Sequence, residues 1–513
     1  MKNKYLCLLS AFVIIMTFML SFSVSVNALS YRDFTYTVTN EEITITDCST
    51  YASGNISIPS TINGYPVVRI GSWAFSSCTS IESIVIPESV IEIESYAFYN
   101  CSNLLNITIP DNVTTIGKNS FQGCQKLTTI SLPKNLTKIE EDLFRSCNNL
   151  KKVSLPSELI SIGKNAFSSC NKLADVVLPN GLESIGEYAF SYCNKLTNII
   201  IPGSVTNIDK SAFHNCGLEN VIISEGVKSI GQSAFFACYS LKNITLPNSL
   251  ENIGDSAFSG CIIESIVIPK NTISLGKQCF YNCSSLKEIY IPNGITSILD
   301  KTFDGCGNIK KVYYNGTQEQ WDEISFGSNN TDFKIANIHF VTDKHIIYIT
   351  NGGEGISLIQ EIDDIAEFIL LDRIPERKNY LFEGWSLNID CLNVQYKPND
   401  KINVGSDKST VLYAVWKEIP LIFDNATYNQ DEGSLSVGLN VSKNLISNDG
   451  VIIIAVYCDD RFKTMCTKNI SDYITHTFDN LEIDVNKCTL KAFCWSDLTK
   501  ITPLCASTSS SVQ

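Results

Sequence analysis

The chain has 513 residues, 20 cysteines and a formal net charge of −14. Arginine is scarce and the lysines are scattered, so the sequence offers no basic stripe, which excludes nucleic acid and anionic lipid as expected ligands. A chain of this length is too long for one hydrophobic core, and we therefore expect several modules.

The first 28 residues are predicted to be a secretory signal peptide. Lys2 and Lys4 form a short charged region, an apolar run follows from residue 5 to residue 26, and Ala28 is small enough for a cleavage site. No later stretch of about 18 apolar residues follows, so we expect no transmembrane segment in the mature chain. The pattern predicts an exported protein, either secreted or held at the cell surface, with residues 506–513 as a short polar tail.

A long internal repeat dominates the next part of the chain. Eleven Phe-x-x-Cys units follow one another from Phe75 to Cys306, at steps of 23 residues with two steps of 22. A period in the twenties is typical of a solenoid, in which each coil buries its apolar side by stacking on its neighbours. Solenoids present long surfaces, and we therefore expect a binding protein.

One repeat unit shows how each coil is built. Ile107 and Ile109 alternate with polar residues, as in a half-buried strand, and Pro110 ends that strand. Phe121 and Cys124 are three residues apart and share one face of a later segment. The sequence thus predicts a repeat solenoid with one β-strand and a short helical or irregular segment in each coil of 22–23 residues.

Eleven cysteines recur at one position of the repeat. Equivalent atoms in successive coils should lie about 4.8 Å apart, which would form a structural ladder of small buried side chains. The ladder consists of Cys78, Cys101, Cys124, Cys147, Cys170, Cys193, Cys216, Cys238, Cys261, Cys283 and Cys306. Disulfides between neighbouring rungs remain an alternative, since the distance allows them. A metal site is a weaker alternative, because the chain has four dispersed histidines.

The recurring Ile-Pro, Ile-Gly, Ala-Phe and Cys-x-x-Leu steps resemble the BspA-like leucine-rich repeats of bacterial surface proteins. The resemblance covers the chain from Ile43 to Phe340. It implies an N-terminal capping segment over residues 29–66 and a leucine-rich repeat solenoid with a terminal cap over residues 67–345. The resemblance also implies adhesion or protein binding at a cell surface.

Residues 346–417 depart from the repeat and carry a Gly-Trp motif at Trp385 and a Leu-Tyr-Ala-x-Trp motif that ends at Trp416. They resemble the internalin B-type (Listeria–Bacteroides) repeat, which implies a small β-grasp domain. We expect the two tryptophans to close its core, with an aromatic sugar platform as the alternative. Residues 418–505 alternate strand-like runs with turns, which predicts a β-sandwich-like domain.

An apolar row is predicted on the outward side of the solenoid strands. The residue just before each proline-bounded strand end is polar in several early coils and apolar or aromatic in the later ones. The candidate partner-binding residues are Val177, Ile200, Ile222, Val267, Tyr290 and Tyr313. An exposed row of this kind is a candidate partner site, with Tyr290 and Tyr313 as anchors. The alternative is that these residues are simply good strand formers that pack against their neighbours.

The sequence carries no zinc-protease, nucleophile-elbow or phosphate-loop motif, so we expect no catalytic residue, metal site or cofactor. The predicted function is that of a non-enzymatic adhesion protein whose partner is another extracellular protein. The alternatives are a carbohydrate-binding accessory protein that acts through the C-terminal β domains, and a structural spacer.

Overall fold

The structure is a computed structural model that describes residues 29–341, 344–351, 353, 359–361, 368–377, 380–391, 393–402 and 409–418, and then the backbone of the strands between 421 and 511. The predicted signal peptide lies outside the described residues. The described chain forms two compact units, which divide between Lys344 and His345. The domain boundaries drawn from the sequence stay predictions.

The first unit begins with a cap of antiparallel and then parallel strands. Its strands are Leu29–Tyr31, Phe34–Thr39, Glu42–Cys48, Thr61–Ile62 and Tyr65–Ile70. Phe34, Ile43 and Ile45 are buried on the inner side of this cap, and the Phe34 ring lies 6.0 Å from that of Phe75 in the first coil. The cap covers the apolar end that the first coil would otherwise expose.

The alternating segment of each coil forms a parallel sheet along one side of the solenoid, which we call the first sheet. Its strands are Gly54–Ser57, Ile81–Val85, Asn106–Thr108, Thr129–Ser131, Lys152–Ser154, Asn198–Ile201, Asn220–Ile223, Asn243–Thr245, Ser265–Val267, Glu288–Pro292, Lys311–Asn315 and Asn337–Phe340. Neighbouring strands pair in register, for example Ile199 with Val221. The pairing is interrupted three times, after Asn106–Thr108, after Lys152–Ser154 and after Asn243–Thr245. At the second interruption the next coil contributes a single bridge from Lys152 to Asp175.

A second parallel sheet runs along another side and was not predicted. Each coil contributes two residues to it, the second of which points into the core, as Ile139 does in Lys138–Ile139. Its strands are Glu92–Ile93, Thr115–Ile116, Lys138–Ile139, Ser161–Ile162, Ser184–Ile185, Asn207–Ile208, Ser229–Ile230, Asn252–Ile253, Ser274–Leu275, Ser297–Ile298 and Ser325–Phe326. The first two join the sheet of the N-terminal cap, and the others form one nine-stranded sheet.

The Phe-x-x-Cys segments form turns, so the irregular form of the predicted segment is the one observed. Each phenylalanine N–H donates to the next coil, as from Phe98 to the Ser120 carbonyl at 2.9 Å. From Phe75 to Phe303 the successive rings are stacked, with centroids 5.1–5.6 Å apart. This continuous column of fully buried rings forms the centre of the core.

Each turn segment contains two residues in the left-handed backbone region, four positions apart. In the second coil these are Tyr96, with φ of 62°, and Asn100, with φ of 57°. Glycine takes the second position at Gly123, Gly260 and Gly305, where its φ lies between 77° and 79°. The turn therefore has a fixed shape that non-glycine residues adopt at some cost, of about 1 kcal/mol each.

The terminal cap takes the place of one further coil at the end of the solenoid. It contains helix α1 (Gln318–Asp322) and helix α2 (Thr331–Lys334), and Phe333 of α2 stacks on Phe303 with ring centroids 4.1 Å apart. The Asn330 side chain accepts the Phe303 N–H at 3.0 Å, in the place of the carbonyl that a further coil would supply. The column of rings and its hydrogen bonds thus end on cap residues.

The second unit contains two small β-rich parts. In the first part, strands pair in the order Ile359–Glu361, His345–Ile349, Ser409–Glu418 and Tyr380–Ser386, and a two-stranded sheet joins Phe368–Ile369 to Lys401–Ile402. The second part has a three-stranded and a four-stranded antiparallel sheet. Its strands are Leu421–Asn429, Ser434–Val441, Val451–Cys458, Arg461–Asn469, Tyr473–Phe478, Cys488–Trp495 and Thr508–Ser511. The last strand lies in the segment predicted as a tail and pairs with the edge of Cys488–Trp495. The sandwich packing of the two sheets stays a prediction.

Candidate interaction surface

The eleven predicted ladder cysteines are all buried and carry free thiols. From Cys101 onward each thiol donates to the carbonyl of the phenylalanine in the preceding coil, at sulfur–oxygen distances of 2.9–3.4 Å. The Phe144 carbonyl, for example, accepts both the Cys147 N–H and the Cys170 thiol at 3.1 Å. The sequence predicted only a small apolar side chain here, whereas the thiol also links each coil to the coil before it.

Burial disfavours the thiolate form of several of these cysteines. Burial raises the pKa of Cys124, Cys147 and Cys170 well above the ordinary value for a thiol. The thiolate is the form that attacks electrophiles and binds metals, so a raised pKa is consistent with the predicted structural role of these three cysteines. In the part of the chain that the structure describes, no three His, Cys, Asp or Glu side chains are grouped as metal ligands. No helix in that part is long and apolar enough to cross a membrane.

The structure separates the predicted outward row into an exposed half and a buried half. Val177 is 83% exposed and Ile200 is 59% exposed, while Ile222 and Val267 are half-buried. Ile200 and Ile222 are direct neighbours on paired strands. Val177 lies in the coil that contributes only a single bridge, at Asp175, to the first sheet.

The expectation that Tyr290 and Tyr313 are exposed anchors is wrong. They are only 3% and 6% exposed. Tyr290 lies in register between Val267 and Tyr313, and the Tyr313 ring packs beside that of His339 with centroids 5.5 Å apart. Large rings on adjacent strands cover one another, because the strands are only about 4.8 Å apart.

A polar ladder that the sequence analysis missed borders Ile200 and Ile222. The Asn243 amide donates to Asn220 at 2.9 Å, and Asn220 donates to Asn198 at 2.8 Å. The signal was present as asparagine recurring at the repeat period, two residues before the outward row. We call the surface formed by these three asparagines with Ile200 and Ile222 the Asn-Ile face.

In the second unit, the prediction that Trp385 and Trp416 close the core is confirmed. Trp385 is fully buried beside Tyr348, with ring centroids 4.9 Å apart. Trp416 packs against the same core, and its indole N–H donates to the Thr350 carbonyl at 2.8 Å. Trp385 therefore presents no ring face on which a sugar could stack.

Comparison with known proteins agrees with this architecture. Residues 45–159, 92–219 and 206–332 match the BspA type leucine rich repeat region, and residues 345–415 match the Listeria-Bacteroides repeat domain. No curated protein matches the chain.

Several solved bacterial structures are similar. A leucine rich cell surface protein from Faecalibacterium prausnitzii is 27% identical, with a TM-score of 0.36 over 58% of this chain and 97% of that chain. A leucine-rich repeat protein from Bacteroides ovatus is 28% identical, with a TM-score of 0.36 over 61% of this chain and all of the other. The leucine rich repeat protein of T. pallidum is 27% identical, with a TM-score of 0.30 over 46% of this chain and 89% of that chain. Since the repeat match spans more than half of the sequence, the chain belongs to the BspA-type leucine-rich repeat family, and a Listeria-Bacteroides repeat domain follows its solenoid.

Proposed function

We propose that this chain is an exported, non-enzymatic adhesion protein that binds another extracellular protein through the first sheet of its solenoid. The observation that carries the proposal is the Asn-Ile face. Ile200 is largely exposed on a regular strand, at a position where Thr108, Ser131 and Ser154 stand in earlier coils. An apolar group at a position that solvent would otherwise keep polar is a candidate contact for a partner.

The composition of the Asn-Ile face suits a protein partner. Apolar side chains at the centre of an interface exclude water, and polar groups at its border supply hydrogen bonds. The asparagine amides hold one another in a row, so they are already ordered before a partner binds. The absence of charge within this set also suits a partner that is neither a polyanion nor a polycation.

The Asn-Ile face is too small to form a whole protein interface, so a partner must also contact neighbouring coils. Two steps along the sheet span only about 10 Å. A standard protein interface covers roughly 800 Å² on each partner, so binding would extend to flanking coils, of which the exposed Val177 is the nearest apolar contact. The isoleucines would act as the centre of that larger contact.

The experiment is surface binding of the exported chain to extracellular matrix proteins and mucin, with a double variant that carries Ile200→Thr and Ile222→Thr. Threonine is a good strand former, so the thermal unfolding temperature should change little. We expect binding to fall by about tenfold, which corresponds to 1.4 kcal/mol.

The matched control is Ile273→Thr, which replaces an isoleucine that is 61% exposed and lies outside the first sheet. Equal binding by the double variant and the wild type would contradict the proposal, and so would an equal loss in the control. Tyr290 was also a candidate contact, but Tyr290→Thr is not a suitable test of binding. The residue is buried, so the substitution would lower the stability of the solenoid.

A carbohydrate-binding role for the C-terminal modules has less support. Such a role needs exposed aromatic rings on which a sugar can stack. Trp385 was one of the two tryptophans considered for this, and it is buried. A purely structural spacer would show no loss of binding in any of these variants, since it would bind nothing specifically.

A further inference from the structure

Three aromatic side chains form a cluster on the surface of the first two coils. The Trp73 indole is stacked on the Tyr96 ring, with centroids 4.1 Å apart and planes only 5° from parallel. Tyr99 meets both rings edge-on, at 5.6 Å from Trp73 and 5.7 Å from Tyr96. Trp73 remains 51% exposed, although Tyr96 covers one face of it. The other face of the indole is therefore open to solvent.

The backbone under this cluster is unfavourable for large side chains. Trp73 and Tyr96 occupy the first left-handed position of their turns, with φ of 66° and 62°. Asn119 and Asn165 take the same position in later coils, and asparagine tolerates this region well. Strained backbone at an exposed aromatic residue points to a use for the side chain, because neither burial nor turn formation requires it.

A groove of about 350 Å³ lies beside the cluster. Ser72 and Ser95, which directly precede Trp73 and Tyr96 in the chain, both line it, so the groove lies in the same two coils as the cluster. The Glu94 carboxylate also lines it, and Ser72 holds this carboxylate through its backbone N–H and its hydroxyl, both at 2.9 Å. The groove thus contains an oriented hydrogen-bond acceptor in the coil that carries Tyr96 and Tyr99.

Two of the three acidic residues that line the groove are departures from the repeat, and the third, Glu92, is paired with Arg69 at 3.2 Å. Glu94 and Glu140 stand where most coils have glycine, and Gly117 keeps the glycine between them. A Cβ on Gly117 would lie 2.4 Å from the Ser95 backbone nitrogen, so this coil cannot carry a side chain there. The gap between the two carboxylates is therefore a consequence of close coil packing. Lys118 lines the same groove and supplies donors.

We propose that the cluster and the groove form a binding site for an uncharged saccharide. The apolar face of a pyranose ring would stack on the open face of Trp73. Its hydroxyls would donate to Glu94 and Glu140 and accept from Lys118. Three carboxylates line the groove with one lysine, and this excess of negative charge disfavours an anionic sugar. This site is separate from the Asn-Ile face and does not depend on the protein-binding proposal.

The test is isothermal titration of the full exported chain with cellohexaose, maltohexaose, xylohexaose and chitohexaose, and with oligogalacturonate as the anionic comparison. We expect at least one neutral oligosaccharide to bind and the anionic one to bind more weakly. Trp73→Asn should weaken that binding by about tenfold or more, and the Asn119 coil shows that asparagine suits this backbone. Tyr239→Ser, which changes an exposed tyrosine on another coil, should leave it unchanged.

Tyr99→Ser is the second variant, because serine already stands at the equivalent Ser168 and the change leaves the left-handed residues intact. It should weaken binding of the neutral oligosaccharide as well. The proposal is overturned if no neutral oligosaccharide binds at millimolar concentration, or if both variants bind as well as the wild type. The proposal is also overturned if the two variants lose binding to an unglycosylated protein but keep their binding to sugars.

Discussion

We expect the Asn330 side chain to stabilise the C-terminal end of the solenoid. Its side chain is 2% exposed and accepts the Phe303 N–H at 3.0 Å, and its amide donates to the Leu299 carbonyl at 2.8 Å. In Asn330→Ala the Phe303 N–H stays buried without an acceptor, which costs about 1–3 kcal/mol. The Leu299 carbonyl still accepts from the Thr302 hydroxyl at 2.9 Å, so it adds little. We therefore expect a loss of about 1–3 kcal/mol in the free energy of unfolding of the solenoid.

Hydrogen exchange is the assay that isolates this effect. In a solenoid each coil contacts only its neighbours, so the loss should speed exchange at Phe303 far more than at Phe121. Asn308→Ala is the matched control, because Asn308 donates to the Ser284 carbonyl at 2.6 Å but is exposed, where water replaces the lost partner. The reasoning is refuted if exchange at Phe303 is unchanged in Asn330→Ala, or if Asn308→Ala has the same effect.

Three further predictions concern the repeat itself. Cys170→Ser should lower the free energy of unfolding by about 1 kcal/mol in urea, because the new hydroxyl can donate to the Phe144 carbonyl; a loss of more than about 3 kcal/mol would mean that it finds no partner. Ala237→Gly should raise the free energy of unfolding by about 0.5–1 kcal/mol, and Gly260→Ala should lower it by a similar amount, because both positions have left-handed φ; two changes of the same sign would contradict this. Alkylation of denatured, unreduced protein should label the eleven ladder cysteines almost completely, whereas disulfides between rungs would leave most of them unlabelled.

The period of the repeat predicted the solenoid and the stacked position of the cysteines, whereas the column of phenylalanine rings was seen only in the structure. It did so because stacked coils must place identical residues on top of one another. The second sheet was missed, since a strand of two residues such as Ser161–Ile162 has no alternation that a sequence pattern can reveal. The thiol hydrogen bonds were missed for a different reason. Their acceptors are backbone carbonyls of the preceding coil, and a sequence does not show which carbonyls point inward.

The candidate surface was less predictable than the fold. Strand alternation placed Ile200 and Tyr290 on the outward side, but exposure depends on what the neighbouring strands carry. Ile200 is bordered by asparagines and stays exposed, whereas Tyr290 lies beside other large side chains and is buried. The Trp73 cluster could not be found from alternation, because its residues belong to turns and not to strands.

The positions that depart from the repeat help to separate structure from function. A core residue of a middle coil contacts its equivalents in the coil before and the coil after, so a change at such a position disturbs two interfaces. The phenylalanine column therefore tolerates little variation. Ile200 is apolar where Thr108 and Ser131 are polar, and Trp73 differs from Asn119 at the equivalent position. Both residues remain exposed, so core packing does not require either side chain. We therefore propose contacts outside the solenoid for both residues, and the two binding experiments change them for this reason.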